Sequence, residues 1–198
     1  CSKVGITFNG EDYLLKFPGS IKNKNMKNVI LSYSNSSVSE YLGSKVYEAF
    51  GVPVHDVQLV MYKDKLCALC RDFTGTGELV EFRELKSTFL NDSLDTNDYS
   101  NGIDTDLDDV LFIIRNQHIL KCITNYERFF WTMFVVDALI GNHDRNNGNH
   151  GIIRYGSSIY IAPVYDNGGC LNPTWDDSKM ELWLSDPEKM EVLAFKAN

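Results

Sequence analysis

A short segment in the second half of the chain holds residue types that can carry acid–base and metal chemistry. It reads Gly141-Asn142-His143-Asp144-Arg145-Asn146-Asn147-Gly148-Asn149-His150 and follows an apolar, helix-like run. Asp144 and Asn149 are candidate catalytic residues, because an Asp followed five residues later by an Asn is a spacing used in phosphoryl transfer. There the Asp orients or deprotonates a hydroxyl, and the Asn holds a metal ion. A second carboxylate follows at Asp166.

A predicted β-hairpin brings these groups together. Residues 151–155 and 158–162 have the pattern of two strands, with Gly156-Ser157 between them as a tight turn. Asn149 comes just before the first strand and Asp166 follows the second, so both side chains should lie near the open end of the hairpin. Mg²⁺ typically takes one or two protein oxygens in addition to water and phosphate. Asn149 and Asp166 are therefore the predicted Mg²⁺ ligands.

The segment has two other possible interpretations. The string Gly-Asn-His-Asp also occurs in two-metal phosphoesterases, but those sites need several more His and Asp ligands. The chain has four histidines, no Asp-x-His before the segment and no His after His150. The second alternative is a turn without chemistry, since Asn, Gly and Asp favour turns for backbone reasons alone. A carboxylate placed behind a hairpin, at Asp166, favours the chemical interpretation.

The blocks around these residues resemble the HipA-like serine/threonine kinases, most of all the smaller branch called cell-translocating kinase A. Residues 135–149 and 161–166 resemble the catalytic core of that family. Upstream, residues 13–18 resemble its lysine strand, and residues 39–41 with 50–54 resemble its first helix and the exit from that helix. The blocks occur in the family order.

This resemblance implies an α+β, bilobal, protein-kinase-like fold that uses ATP and Mg²⁺ to phosphorylate Ser or Thr hydroxyls of a protein substrate. Residues 1–72 would form a small β-rich nucleotide-binding lobe, and residues 73–198 a mainly helical catalytic lobe. The family's glycine-containing phosphate-binding loop and its last helices have no counterpart in the chain, so parts are expected to be missing at both ends. An antitoxin-like regulator is a further partner that the resemblance suggests.

The resemblance also assigns roles in nucleotide binding. Lys16 would contact the phosphates, Glu40 would pair with Lys16, and the backbone of Cys70, Arg71 and Asp72 would meet the adenine. Two alternatives stay open. A strand lysine is often a solvated edge residue. The sequence Ser37-Val38-Ser39-Glu40 is also a capping box, in which Glu40 would accept from the Ser37 amide.

A binding module without turnover is the alternative function, because binding needs only Lys16 and the metal ligands. Asp137 lies in an apolar helix one turn before the catalytic segment. A buried carboxylate needs partners, so we expect Asp137 to brace that segment through hydrogen bonds.

Composition is that of a cytoplasmic globular enzyme. The chain has 198 residues, 43% of them hydrophobic, and a net charge of −8, which argues against direct nucleic-acid binding. The five cysteines are odd in number and no secretory segment opens the chain, so reduced thiols are expected. The longest apolar run, residues 129–141, is too short to span a membrane.

The remaining elements follow from hydrophobic periodicity and turn residues. Further hairpins are predicted at Asn9-Gly10 and Lys63-Asp64. Loops are predicted over residues 19–35 and over the acidic stretch 91–109 until Leu107. Helices should begin at Leu107 and Tyr126, the second ending at Gly141. Another helix, stopped by Gly51, should bury an apolar face made of Val38, Tyr41, Leu42, Val46, Ala49 and Phe50.

Overall fold

The computed structural model of the protein describes residues 2–21, 32–93, 106–175 and 177–196. The strands in these ranges are β1 (Lys3–Phe8), β2 (Glu11–Lys16), β3 (Ser20–Ile21), β4 (Ser32–Tyr33), β5 (Val57–Tyr62), β6 (Lys65–Arg71), β7 (Glu78–Glu81), β8 (Gly151–Tyr155) and β9 (Ser158–Ile161). The helices are α1 (Ser36–Ala49), α2 (Phe82–Ser93), α3 (Leu107–Asn116), α4 (Tyr126–Ile140), α5 (Asp177–Leu184) and α6 (Pro187–Lys196), with a 3₁₀ turn at Leu120–Cys122.

The first sheet is antiparallel, with strand order β1-β2-β6-β5. Its two predicted hairpins are confirmed. The turn residues Asn9, Gly10, Lys63 and Asp64 all have positive φ, between 46° and 79°. Such values at both central residues are typical of two-residue turns whose twist matches that of the strands. The register places Lys16 at the end of β2 opposite Ala68 of β6.

Helix α1 packs against this sheet, but the prediction of its buried face was wrong for Leu42, Ala49 and Phe50, whereas Val38, Tyr41 and Val46 are half-buried. Leu42 and Phe50 are 43% and 61% exposed. The buried face instead carries polar and small residues, namely Ser37, Ser39, Glu40, Gly43, Ser44 and Tyr47. The reason is close packing against the polar segment that follows β9. A Cβ atom on Gly43 would lie 2.8 Å from Cys170 Sγ.

The second sheet has the strand order β7-β8-β9 and contains the predicted hairpin of β8 and β9. Strand β7, which the sequence pattern did not reveal, adds to its edge with Glu81 opposite Gly151. A parallel bridge between Val54 and Val164 links the exit of α1 to the segment after β9.

The main core lies between the helices and the second sheet. Its fully buried members include Tyr47, Phe82, Ile113, Leu120, Tyr126, Met133, Ile152 and Val164. A smaller cluster of Val57, Ala68 and Cys70 sits between the first sheet and α1. Within the described ranges, no helix combines the length and the apolar character needed to cross a bilayer.

The predicted starts of α3 and α4 and the end of α4 at Gly141 are confirmed. The predicted loop over residues 19–35 contains one short pairing, between β3 and β4. Its residues 22–31 lie outside the described residues, as do residues 94–105 of the predicted loop over 91–109. The four described cysteines, Cys67, Cys70, Cys122 and Cys170, are free thiols.

Candidate active site

Helix α4 ends abruptly and turns the chain into the segment 141–150. Gly141 adopts φ +60°, the left-handed conformation that commonly ends a helix. The Asn142 amide donates to Asp137 O (2.9 Å), and the Gly141 amide donates to Ala138 O (3.3 Å). These two bonds form a Schellman motif, which satisfies carbonyl groups of the last turn. The start of the catalytic segment is thereby fixed relative to the helix.

Arg145 holds this segment from inside the protein. Its Nε and Nη2 donate to the two carboxylate oxygens of Asp137, at 2.7 and 3.1 Å. Nη1 donates to Asn149 O (2.9 Å) and Tyr165 O (2.5 Å), and Nη2 also donates to Asn167 Oδ1 (2.6 Å). All five guanidinium donors are thus used. One side chain therefore joins the end of α4, the catalytic segment and the segment after β9.

The Asp137 carboxylate is the anchor of this arrangement, as the sequence predicted. Its side chain is 7% exposed and also accepts from Asn142 Nδ2 at 2.8 Å. Burial by itself would lower the pKa of Arg145, but the paired carboxylate of Asp137 raises it above its ordinary value. Arg145 therefore stays charged and paired with Asp137.

Asp166 is held in a backbone conformation that few non-glycine residues adopt. Its φ is +60°. The residues on both sides are pinned, because Tyr165 O accepts from Arg145 and the Asn167 amide donates to Glu40 Oε1 (3.1 Å). An uncommon conformation that the surroundings hold in place is often found at functional sites. Here it presents the Asp166 carboxylate toward Lys16.

Lys16 joins the two halves of the site. Its Nζ lies 3.0 Å from Glu40 Oε2 and 2.9 Å from Asp166 Oδ1, and its side chain is 14% exposed. Burial by itself would lower the pKa of Lys16, but the two carboxylates raise it above its ordinary value. The ion pair between Lys16 and Glu40 is therefore present, and the solvated-edge interpretation of Lys16 was wrong.

Glu40 makes its contacts across the site rather than along its own helix. Its Oε1 accepts from the Asn167 amide and lies 3.0 Å from His55 Nε2, although that ring N–H is not aligned for a hydrogen bond. Burial would raise the pKa of Glu40, but His55 and Lys16 lower it to about 2. The capping-box interpretation was wrong: α1 begins at Ser36, so Ser37 lies inside the helix.

Asn167 completes a buried chain of polar contacts. It is fully buried, donates from Nδ2 to Ser44 Oγ (3.0 Å) and accepts from Arg145 through Oδ1. Together with its bond to Glu40, these contacts connect Lys16 on the first sheet with Arg145 in the catalytic segment. Satisfied buried networks of this kind stabilise one arrangement of the groups that they join.

Four of the predicted residues line one cavity of about 390 Å³: Lys16, Glu40, Asp144 and Asp166. Asp144 is exposed and reaches the cavity from the catalytic segment. Gly169 backs it closely, since a Cβ atom there would lie 2.6 Å from Asp144 Cβ. The space behind Asp144 therefore accepts only glycine without a shift of the segment.

Asn149 is buried and does not line this cavity. Its Nδ2 donates to Asp144 O at 3.0 Å. Its Oδ1 accepts no hydrogen bond from the described part of the chain, which leaves that oxygen available to a cation. A carboxylate and an amide oxygen are ligands that Mg²⁺ accepts, so the residue types at Asp166 and Asn149 suit this ion.

Cys70, Arg71 and Asp72 lie apart from the cavity wall. The Arg71 amide donates to Asp56 O (2.9 Å), and the Asp72 amide donates to Asp12 O (2.8 Å). The Arg71 side chain pairs with Glu11. These two amides are therefore engaged within the protein, and a contact between this segment and adenine stays a prediction.

The histidines do not build the His- and Asp-rich site of a two-metal phosphoesterase. His143 is exposed, whereas His150 is buried and stacks on Phe82 with ring centroids 4.7 Å apart. Among the described residues, the group of three His, Cys, Asp or Glu side chains with ligand atoms within 4.8 Å is Glu40, His55 and Cys70. Asp144 and Asp166 belong to no such group.

Two organising residues, Arg145 and Asn167, were missed from the sequence. A signal existed for Arg145. The buried Asp137 required a cationic partner, and Arg145 is the cation that follows within eight residues. For Asn167 there was no such signal, because its three partners come from segments far apart in the chain.

Comparisons with known proteins agree with this geometry. The family model described as HipA-like C-terminal domain matches residues 2–196. The serine/threonine-protein kinase CtkA of Helicobacter pylori strain J99 is 38% identical over 199 residues, which cover 96% of this chain and 56% of that protein. The chain thus spans little more than half the length of this curated relative.

Solved structures are similar as well. The crystal structure of the H. pylori proinflammatory kinase CtkA superposes with a TM-score of 0.76 at 36% identity, covering 96% of this chain and 61% of that chain. HipA of Shewanella oneidensis MR-1, solved with HipB and operator DNA, gives a TM-score of 0.51 at 16% identity, covering 83% and 41% of the two chains. At that identity the second likeness concerns the fold alone. The fold is α+β and kinase-like.

Proposed function

This chain belongs to the HipA-like C-terminal domain family, and we propose that it carries the catalytic core of a kinase that phosphorylates Ser or Thr hydroxyls of protein. The observation that carries the proposal is the position of Lys16. Its Nζ lies within 3.0 Å of carboxylates from both α1 and the segment after β9, on the wall of a cavity that Asp144 also lines. A 38% identical relative is a serine/threonine-protein kinase, which supports the same conclusion.

The nucleotide would be ATP with Mg²⁺. When bound, Mg²⁺ would offset the negative charge that develops on the phosphates during transfer. Asp166 and Asn149 would hold it through their side-chain oxygens. Lys16 would then exchange its contact with Asp166 for one with the phosphates, while Glu40 would keep the Lys16 ammonium group in place. Residues 1–72 would act as the nucleotide-binding lobe and residues 73–198 as the catalytic lobe.

Asp144 would act on the acceptor. As the hydroxyl oxygen of a Ser or Thr forms its bond to the γ-phosphorus, the bond from that phosphorus to the β,γ-bridging oxygen breaks. The hydroxyl proton passes to the Asp144 carboxylate, which is exposed and can meet a protein substrate. Arg145 and Asn167 do not line this cavity, and Gly169 backs Asp144, so all three would act as positioning residues.

The substrate is a protein with a Ser or Thr acceptor, and an antitoxin-like protein is a candidate regulator. The antitoxin-like regulator is suggested by HipA, which was solved with HipB and operator DNA. This chain itself is acidic, so a direct contact with nucleic acid is not expected. A cytoplasmic location stays a prediction from composition.

The test is transfer of labelled γ-phosphate from ATP to a protein acceptor in the presence of Mg²⁺, compared with the Lys16→Met variant. The proposal expects transfer to Ser or Thr residues, and its loss in the variant. Tight nucleotide binding without any transfer, to itself or to an added acceptor, would favour the alternative of a binding module without turnover.

A further inference from the structure

The N-terminus of α1 opens into the cavity that contains Lys16, Asp144 and Asp166. Ser36 and Ser37, the first two residues of this 14-residue helix, line the cavity, as does Ser34 just before it. A helix N-terminus carries about half a positive charge and a set of amide donors, which together favour bound anions. A helix end alone does not make a binding site, but the residues around this one give further signs of a bound anion.

This helix end lacks its usual internal cap. Asn35 is a residue type that commonly caps helices, yet its side chain makes no capping hydrogen bond. The side chain instead donates to Trp175 O (3.1 Å), and the Asn35 amide donates to Pro173 O (2.7 Å). The first intrahelical bond comes from the Ser39 amide, which donates to Asn35 O. The amides of residues 36–38 thus find no acceptor in the described part of the chain.

Ser37 adds a second and independent sign of a ligand. It is 3% exposed, and its Oγ has no hydrogen-bond partner among the described residues. Leaving a buried hydroxyl unpaired destabilises the folded state, so such groups call for an explanation such as a bound ligand. No acidic side chain lies in the first turn of α1 to neutralise the helix end.

The charge of the cavity shows what a phosphate ligand would need in order to bind there. Its described lining has one cation, Lys16, and three carboxylates, Glu40, Asp144 and Asp166. Such a surplus of negative charge repels phosphates unless other donors compensate for it. The uncapped helix end supplies those donors on the cavity wall. Gly168 lies close to this wall, since a Cβ atom on Gly168 would be 3.4 Å from Ser36 O.

We propose that the N-terminus of α1, through the amides of residues 36–38 and the Ser37 hydroxyl, binds the phosphates of the nucleotide. This inference rests on the proposed function, since it names a phosphate site within the same cavity. It gives the chain a phosphate-binding element other than a glycine-containing loop. The amides and the hydroxyl would donate to phosphate oxygens, while Lys16 and a cation held by Asp166 would supply positive charge in the same cavity.

The test compares the affinities of ATP and adenosine in the presence of Mg²⁺, measured by calorimetry on the whole chain. The dissociation constant of adenosine divided by that of ATP isolates the phosphate contribution. A hydrogen bond to a charged group is worth about 1.5–3 kcal/mol, so Ser37→Ala should reduce this ratio by about tenfold or more. Ser36→Asp should reduce it further, because it places a carboxylate beside the phosphates.

Ser36→Asp also separates binding from folding, since an acidic residue in the first turn stabilises a helix. Its thermal midpoint should equal or exceed that of the wild type while ATP affinity falls and adenosine affinity stays constant. Ser158→Asp is the matched control. It adds the same charge at the closed end of the β8–β9 hairpin, at an exposed residue outside the cavity lining, and should leave the ratio unchanged.

The outcomes distinguish this inference from the proposed function. If Lys16→Ala lowers the ratio but Ser36→Asp and Ser37→Ala leave it unchanged, phosphates bind without the helix end and the inference is wrong, although the kinase proposal survives. If the wild type binds neither ATP nor adenosine, the proposed function fails and the inference fails with it.

Discussion

Replacing Arg145 by Met should destabilise the protein far more than the loss of an ordinary ion pair. The variant keeps most of the side-chain volume but removes all five donated hydrogen bonds. It leaves the Asp137 carboxylate, 7% exposed, with Asn142 as its remaining side-chain donor. Breaking a buried pair from one side costs about 3–5 kcal/mol. For a domain of this size, such a loss should lower the melting temperature by about 6–20 °C.

The chain offers a matched control for this change. Arg115 also makes a two-pronged contact with a carboxylate, that of Glu127, but the two side chains are 56% and 37% exposed. Exposed pairs add little to stability because water and salt screen them, so Arg115→Met should leave the free energy of unfolding nearly unchanged. Both variants would be measured by urea unfolding at the same pH and salt concentration.

A double-mutant cycle tests the mechanism itself. When both partners of a buried pair are replaced, no unpaired charge remains. The combination of Asp137→Leu with Arg145→Met should therefore lower the free energy of unfolding by less than the sum of the two single changes. The free energy of unfolding of Arg145→Lys should lie between those of Arg145→Met and the wild type, because lysine keeps the charge but has only three donors. If Arg145→Met were no more destabilising than Arg115→Met, the central position given to Arg145 would be wrong.

Three further predictions concern single residues of the site. Asp166→Ala should remove most of the gain in nucleotide affinity that Mg²⁺ provides over EDTA, and an unchanged gain would argue against Asp166 as a metal ligand. Gly169→Ala should reduce phosphoryl transfer by about 100-fold with little change in nucleotide affinity, because a displacement near 1 Å can cost that much; Gly5→Ala, with open space around its Cβ, is the control. Glu40 has a pKa of about 2 in the folded protein against 4.5 ordinarily, so its contribution to stability is complete above about pH 4.5 and is lost as the pH falls toward 2. Glu40→Gln should therefore flatten the fall in unfolding free energy over that window, and identical pH profiles would contradict the pairing of Glu40 with His55 and Lys16.

Local signals in the sequence predicted the elements that carry the site. The turn residues Asn9-Gly10, Lys63-Asp64 and Gly156-Ser157 fixed three hairpins, because few residue pairs suit two-residue turns. Gly141 marked the end of α4 for a similar reason, since its left-handed backbone suits glycine. These features depend on neighbours in the chain, which is why the sequence reveals them.

Features that depend on distant segments were missed or wrong. Helix α1 was given an apolar buried face, but its neighbours are the polar groups of Asn167 and Cys170 and the strand end at Lys16, so Ser37, Glu40 and Ser44 are buried instead. Strand β7 carries no strong pattern of its own and forms by pairing with β8. Periodicity within one element does not show which surface that element will meet.

The most direct test of the proposed kinase chemistry is Asp144→Asn in a preparation that transfers phosphate. The change keeps the size of the side chain and the Asp144 carbonyl that Asn149 contacts, but removes the group that accepts the hydroxyl proton. Turnover should fall by about 10²–10⁴-fold, as for the loss of a general base, while the dissociation constant of Mg·ATP changes little. Turnover that survives the change, or nucleotide binding that is lost together with turnover, would contradict the assignment of Asp144 to the acceptor hydroxyl.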